Sequence, residues 1–293
     1  MIYLIAFLAP LFYALSVLIE SFLSLDIFKK PTTMCFYASL TNAMFVPIMF
    51  YFGTPTIPTS DLWLVYAILA IIDITYLYPY YIALKNTDTS IVSSLFAIGK
   101  IFVPVMSFLI LKDVLELHQY IGFFIIISAS LILNMKKGIS LKVNKAFYWM
   151  LLSSFLLSCR VILAKYALSS DDIWVNTIVW PNLLSGTMVF LFLLVKDFRP
   201  DIRKHLGPYM KRFHLFVANE FVFFLAVLTS IYALTKLSPV ISTAIEATEP
   251  LFLLTLATSI QPFSHFKFKE LKVSRIKKVI CFILIIIGVM CIS

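Results

Sequence analysis

The sequence predicts an all-α integral membrane protein of ten transmembrane helices, arranged as two inverted five-helix repeats. Three observations lead there. The 293 residues are 61% hydrophobic and only 13% charged, with a mean hydropathy of +0.97. A soluble domain carries about a quarter charged residues, so this chain cannot clothe itself for water, and lipid takes water's place. Apolar runs of spanning length recur along the whole chain. Finally, two stretches in different halves match at one offset. Tyr81-Ile82-Ala83-Leu84 answers to Ile231-Tyr232-Ala233-Leu234, Ile91 to Ile241, Ser93 to Thr243 and Ala97 to Ala247.

A membrane helix needs about 20 mainly apolar residues. The runs fall at 2–24, 33–52, 62–84, 88–111, 117–134, 145–168, 172–196, 211–235, 239–261 and 276–292. Met1 leads into the first run with no basic segment before it, so that run reads as a membrane helix and not as a signal peptide. Polar or turn-forming residues mark the breaks, such as Lys29-Lys30-Pro31, Gly53-Thr54-Pro55 and Lys136-Lys137-Gly138. The ten runs divide into repeats at 1–138 and 139–293, within one membrane domain. Five is odd, so the halves would enter the bilayer in opposite senses. Pro10, Pro47 and Pro104 are expected to bend their helices. Gly99 is expected to admit a neighbouring helix closely.

The net charge of +9 would suggest nucleic acid in a soluble protein. Here the basic residues cluster between apolar runs, as in cytoplasmic loops, and the nucleic-acid reading is rejected. Of 24 Lys and Arg, nineteen fall in loops after odd-numbered runs. Only Lys112, Lys165 and Lys236 fall on the other face, and Lys100 and Arg160 lie inside runs. The positive-inside rule then places both termini outside a cell or inner membrane. The basic stretches 196–212 and 263–278 read as cytoplasmic loops touching anionic lipid.

No enzyme pattern appears: HExxH, GxSxG and P-loop motifs are all lacking. Cys35, Cys159, Cys281 and Cys291 sit in apolar runs without a CxxC, and the four histidines lie at run ends or in loops. No catalytic residue, cofactor site or metal site is expected.

Charges inside the runs are the informative residues. Asp73, Lys100, Arg160, Glu220, Glu246 and Glu249 fall near the centres of their runs, joined by Asn42 and Asn182. Glu20 lies nearer the end of the first run. An intramembrane charge costs roughly 2.5–3.5 kcal/mol on insertion scales, so these six are expected to face a shared interior. Pairs of Asp73 with Lys100 and Glu220 with Arg160 would leave Glu246 and Glu249 unpartnered. Those two are three residues apart on one face, and Pro250 follows, so the helix should bend or open there. Two close carboxylates do not both ionise readily in low dielectric, which makes the pair a candidate proton carrier. Tyr76 and Trp180 are candidates to line the pathway by cation–π contact, while Tyr80 and Tyr81 read as near an interface.

Several of these motifs resemble the drug/metabolite transporter (DMT) superfamily, EamA-like branch. The resemblance runs through Ala83-Leu84, a small-residue helix, the corner Leu111-Lys112-Asp113, and a following helix with Gln119 and Gly122. Asp113 stands where that family has Glu, and Lys100 where it has Pro. Pro250 retains the Pro in the second half, after which the corner dissolves into the basic loop Phe263 to Lys278. The resemblance implies ten helices in two inverted repeats, with helices 1–4 and 6–9 around the path and 5 and 10 peripheral. It also implies transport of a small metabolite.

Acids outnumber bases in the charged layer, which favours a zwitterion or organic cation, such as an amino acid or amine. The expected function is secondary active transport by alternating access, with protons as the candidate coupling ion. The expected partners are the small-molecule substrate and the lipid bilayer, for a monomer or a homodimer. The alternatives are an ion channel or pore, or an exporter of hydrophobic drug-like cations.

Overall fold

In a computed structural model of the chain, the described residues are 2–23, 30–86, 92, 95, 96, 99–134, 145–170, 173–260 and 275–292. Every regular element among them is helical. Seven segments are long and apolar enough to cross a membrane: Ile2–Phe22, Pro31–Tyr51, Ser60–Asn86, Phe147–Ser170, Asn176–Leu194, Phe213–Lys236 and Pro239–Ser259. Shorter apolar helices occupy Phe102–Leu111, Leu117–Ile132 and Val279–Ile292. Their outer faces carry exposed Leu, Ile and Phe, such as Leu4, Phe108, Leu109, Ile280 and Ile283. Apolar side chains turned outward on helices this long belong in lipid, and the chain is a multi-pass integral membrane protein.

Helix α1 (Ile2–Phe22) runs unbroken through Pro10. Pro31, at the first turn of α2 (Pro31–Ala43), loses no hydrogen bond there. Pro47 lies where α2 tightens into a 3₁₀ turn, Val46–Tyr51. The third membrane segment is α3 (Ser60–Thr75) and α4 (Leu77–Asn86), hinged at Tyr76. Helix α5 (Phe102–Met106) widens after Pro104 into a π turn at Ser107–Leu111. Lys112 then turns the corner in the left-handed conformation, φ 57°. The Ser107 hydroxyl donates to Asp113 Oδ2 at 3.1 Å, holding the corner shut. The first half ends with α6 (Leu117–Asn134), and the second comprises α7 (Lys145–Ser170), α8 (Asn176–Met188), α9 (Arg199–Lys211), α10 (Phe213–Lys236), α11 (Pro239–Glu246), α12 (Glu249–Ile260) and α13 (Arg275–Ile292).

Helix α1 packs on α10, α11 and α12, and α7 packs on α3, α4 and α5. Helix α2 lies against α8 and α10, α3 against α8, and α6 against α13. Glycines set the closest approaches. A Cβ on Gly99 would sit 1.8 Å from Ser154 Cβ, so α7 can press on this point only because residue 99 has no side chain. Gly122 and Gly288 face each other, and a Cβ on the first would meet the second's carbonyl oxygen at 2.5 Å.

The stretch 196–212, expected as a loop, is largely the helix α9. Pro200 starts it and Asp201 sits in its first turn, a favourable pairing with the positive helix N-terminus. Ile202 and Tyr209, seven residues apart, share the buried face. The Tyr209 ring stacks on Tyr37 at 4.2 Å, and its hydroxyl lies 2.8 Å from Thr41 Oγ1. Burial pushes the Tyr209 phenol up from its usual range, which keeps it neutral in that contact. Lys30 forms an ion pair with Asp201 and fastens the other end. The segments 24–29, 135–144 and 261–274 lie outside the described residues, as do Ile91, Ser93 and Ala97 of the internal match.

Candidate functional site

The interior charges converge on two adjoining cavities. The larger, of about 110 Å³, is lined by residues that include Lys100, Arg160, Ser230, Thr243, Glu246 and Glu249, with Tyr13, Tyr76 and Phe223 as aromatic walls. The smaller, of about 30 Å³, is lined by Asn42, Asp73, Asn182 and Glu220 among others. Glu20, Tyr76, Arg160, Phe223 and Val227 border both. One water needs roughly 10–15 Å³ of such space, so the larger cavity has room for a small solute or several waters.

Backbone interruptions bring the charges in. Lys100 stands at the irregular turn before α5, and Ser158 Oγ donates to the Gly99 carbonyl at 3.1 Å. The ninth apolar run breaks between Glu246, the end of α11, and Glu249, the start of α12. That agrees with the bend expected beside Pro250. Ser130 Oγ donates to the Ala247 carbonyl inside the break at 2.5 Å. Glu246 and Glu249 thus reach the same cavity from two half-helices.

The ion pairs differ from those expected. Arg160 Nε donates to Asp73 Oδ1 at 2.5 Å, and Lys100 Nζ lies 3.8 Å from Glu246 Oε2. Asp73 does not pair with Lys100, nor Glu220 with Arg160. The reason is packing: α7 lies along α3, which sets Arg160 against Asp73, while α5 lies along α11 and gives Lys100 to Glu246. Glu246 therefore has a partner, and Ser230 Oγ also donates to its Oε1 at 2.5 Å. Glu249 is buried and lines the larger cavity.

Glu220 accepts from Asn219 Nδ2 at 2.9 Å, and Asn219 Oδ1 accepts from Ser16 at 3.1 Å. Asn182 Nδ2 donates to its own helix at Ile178 O, 2.9 Å. Asn42 Oδ1 has no hydrogen-bond partner among the described residues. Trp180 is a correction. It lines neither cavity, packs edge-on against Trp63 at 4.8 Å, and donates to Thr56 O at 2.9 Å. Residues 180 and 182 point some 200° apart on a helix, so only one of them can face inward.

The sequence reading undervalued Glu20. It is 6% exposed and accepts from Tyr80 at 2.7 Å and from Tyr81 at 3.2 Å. Those tyrosines are buried too. Tyr13, Ser230 and Thr243 were not among the expected site residues, being ordinary residues in apolar helices. The available signal was periodicity: Thr243, Glu246 and Glu249 recur every third residue.

Comparison with known proteins finds a family match to the N-terminal part of the chain. Residues 1–135 match the sequence model of the EamA-like transporter family, which belongs to the DMT superfamily. No curated protein matches the sequence. A solved structure, titled "Crystal structure of protein", superposes with a TM-score of 0.65 at 12% identity, covering 99% of this chain and 97% of its own. At that identity the likeness concerns the fold.

Proposed function

We propose that the protein is a secondary transporter of a small zwitterion or organic cation, an amino acid or amine, working by alternating access. The observation that carries this reading is the larger cavity. Its wall brings Lys100 and Arg160 together with Glu20, Glu246 and Glu249, so both signs are offered and acids are in excess. Glu246 and Glu249 would meet an ammonium, and Lys100 a carboxylate, while Arg160 holds Asp73 in place. Glu220, Asn42, Asn182 and Tyr76 would complete the pathway through the smaller cavity. A family of transporters matching residues 1–135 supports the reading.

The helix partnerships support two inverted five-helix repeats, 1–138 and 139–293. They come in exchanged pairs: α1 on α10 answers α7 on α3 and α4, α1 on α12 answers α7 on α5, and α2 on α10 answers α8 on α3. Interruptions near Lys100 and between Glu246 and Glu249 fall in matching runs of the halves, a recurring mark of transporter binding sites. In this arrangement one half rocks on the other, and the charge count puts both termini outside. Protons are the proposed coupling ion, carried by the acids in excess of bases.

Uptake by reconstituted protein tests the reading. Amino-acid or amine flux should saturate, and an imposed pH gradient should drive it. Glu249→Gln and Lys100→Met should each abolish uptake while the protein stays folded in the membrane. Flux rising linearly with solute would indicate a pore instead, and normal uptake by both variants would remove the site assignment.

A further inference from the structure

We infer that α9 is a docking element for anionic phospholipid: the flank that carries Arg199, Arg203, Leu206 and Met210 rests on the headgroups of the leaflet beside it. In this arrangement the arginines hold lipid phosphates, and the apolar pair reaches the first carbons of the acyl chains. The inference stands apart from the transport reading, because none of these residues borders either cavity.

Connectivity puts α9 at a membrane boundary. The spanning segment Asn176–Leu194 ends just before it and Phe213–Lys236 begins just after it, so both ends of the helix return to one face of the bilayer. Arg212 alone separates α9 from α10. Towards the other end, Tyr37 of α2 donates to the Ile202 carbonyl at 2.6 Å, and Asp201 pairs with Lys30. A helix of 13 residues is about 20 Å long. Tied down along that length, it lies against the boundary instead of standing off into water.

The faces of the helix meet different surroundings. Ile202 and Tyr209 go into the protein. Residues 199, 203, 206 and 210 are spaced four, three and four apart, which gathers them within about 60° of arc on one flank. All four are exposed, Leu206 at 53% and Met210 at 60%. Lys204 and Lys211 are exposed too, but about 120° from the centre of that flank. Among the described residues no carboxylate comes within 4 Å of Arg199, Arg203, Lys204, Lys211 or Arg212.

A soluble anion would suit the arginines but not Leu206 and Met210 beside them. Anionic phospholipid offers both chemistries in one order, phosphate outermost and hydrocarbon beneath. A guanidinium fork matches phosphate oxygens, and its long stem can lie along apolar surface while the charge stays at headgroup level. Basic and apolar side chains side by side on a surface helix are the composition of an interfacial helix, and an anionic leaflet attracts such charges.

Full-length protein in detergent micelles decides the matter. It is titrated with dioleoylphosphatidylglycerol, dioleoylphosphatidylcholine or inorganic phosphate, and melting temperature is the readout, since a ligand of the native state raises it. Phosphatidylglycerol should stabilise at a lower mole fraction than phosphatidylcholine, and inorganic phosphate should not stabilise. Arg199→Gln with Arg203→Gln should raise the phosphatidylglycerol needed for half the effect by about 25-fold, or about fivefold for each basic residue at a lipid surface. Arg199→Lys with Arg203→Lys keeps the charge, loses the fork and should fall between. Lys204→Gln with Lys211→Gln removes as much charge away from the flank and should change the requirement by no more than about twofold. Each titration is read against the same variant without lipid, so a change in basal stability does not enter the result. Equal titrations by the two lipids, or equal effects of the arginine and lysine pairs, would overturn the inference. So would the same rise from inorganic phosphate, which would mark a site for a free anion.

Discussion

The two cavities share Tyr76 and Arg160 but are bonded in contrasting ways. Around the smaller one, Glu220 is held by Asn219, and on the wall common to both, Glu20 is held by two tyrosine hydroxyls. Among the described residues no Lys, Arg or His comes within 4 Å of either acid. Around the larger one, Lys100 is only loosely paired and Thr243 is unbonded. Saturated hydrogen bonds make a wall, and unsaturated ones make a place for a guest. The smaller cavity has one unbonded acceptor of its own, the buried Asn42 Oδ1.

The largest effect should come from the shared wall. Arg160→Ala leaves Asp73 as an uncompensated buried charge, which costs about 3–5 kcal/mol. Thermal unfolding of the detergent-solubilised protein should show a large drop. Replacing Asp73 as well should recover part of it, since the pair acts as a unit. Full additivity of the two losses would show that Arg160 and Asp73 do not support each other.

Tyr80→Phe comes next. It strips a donor from Glu20 Oε2 and leaves a buried carboxyl oxygen unsatisfied, worth about 1–3 kcal/mol. Thermal unfolding of the solubilised protein should show a loss of that size. An unchanged melting temperature would show that Tyr80 does not hold Glu20 in place.

Trp180→Phe should matter least. It removes the bond to Thr56 O, worth about 0.5–1.5 kcal/mol, and should lower the melting temperature slightly with uptake intact. Loss of uptake would return Trp180 to the pathway from which its packing on Trp63 removes it.

Much of the fold was legible because spanning length is a local property. The runs 2–24, 211–235 and 239–261 correspond to Ile2–Phe22, Phe213–Lys236 and Pro239–Ser259. The break beside Pro250 was legible for the same reason, since proline acts on its own neighbourhood. Choice of partner was not. Which acid meets which base depends on how helices rotate against one another, and helices apolar on nearly every side carry little record of that rotation. Asp73 and Arg160 are 87 residues apart and met only once α3 and α7 were packed. Glu20 was discounted because it lies near the end of its run, where a carboxylate could reach water. Helix α9 hid inside a basic stretch, although Pro200, Asp201 and the spacing of Ile202 and Tyr209 mark it in retrospect.

The hydrogen bond from Ser130 to the Ala247 carbonyl has a mechanical consequence. Helix α6, which carries Ser130, is clasped to α13 at Gly122 and Gly288, and α13 turns Phe282, Ile283, Ile286 and Met290 outward. The gap between α11 and α12 is therefore tethered to a pair of helices whose outer surface is acyl chain. Any shift at the gap must stretch that tether or drag the pair sideways through lipid. Turnover should then depend on the thickness and lateral pressure of the host membrane, and Ser130→Ala should weaken that dependence. Rates measured across vesicles of graded acyl-chain length would reveal it.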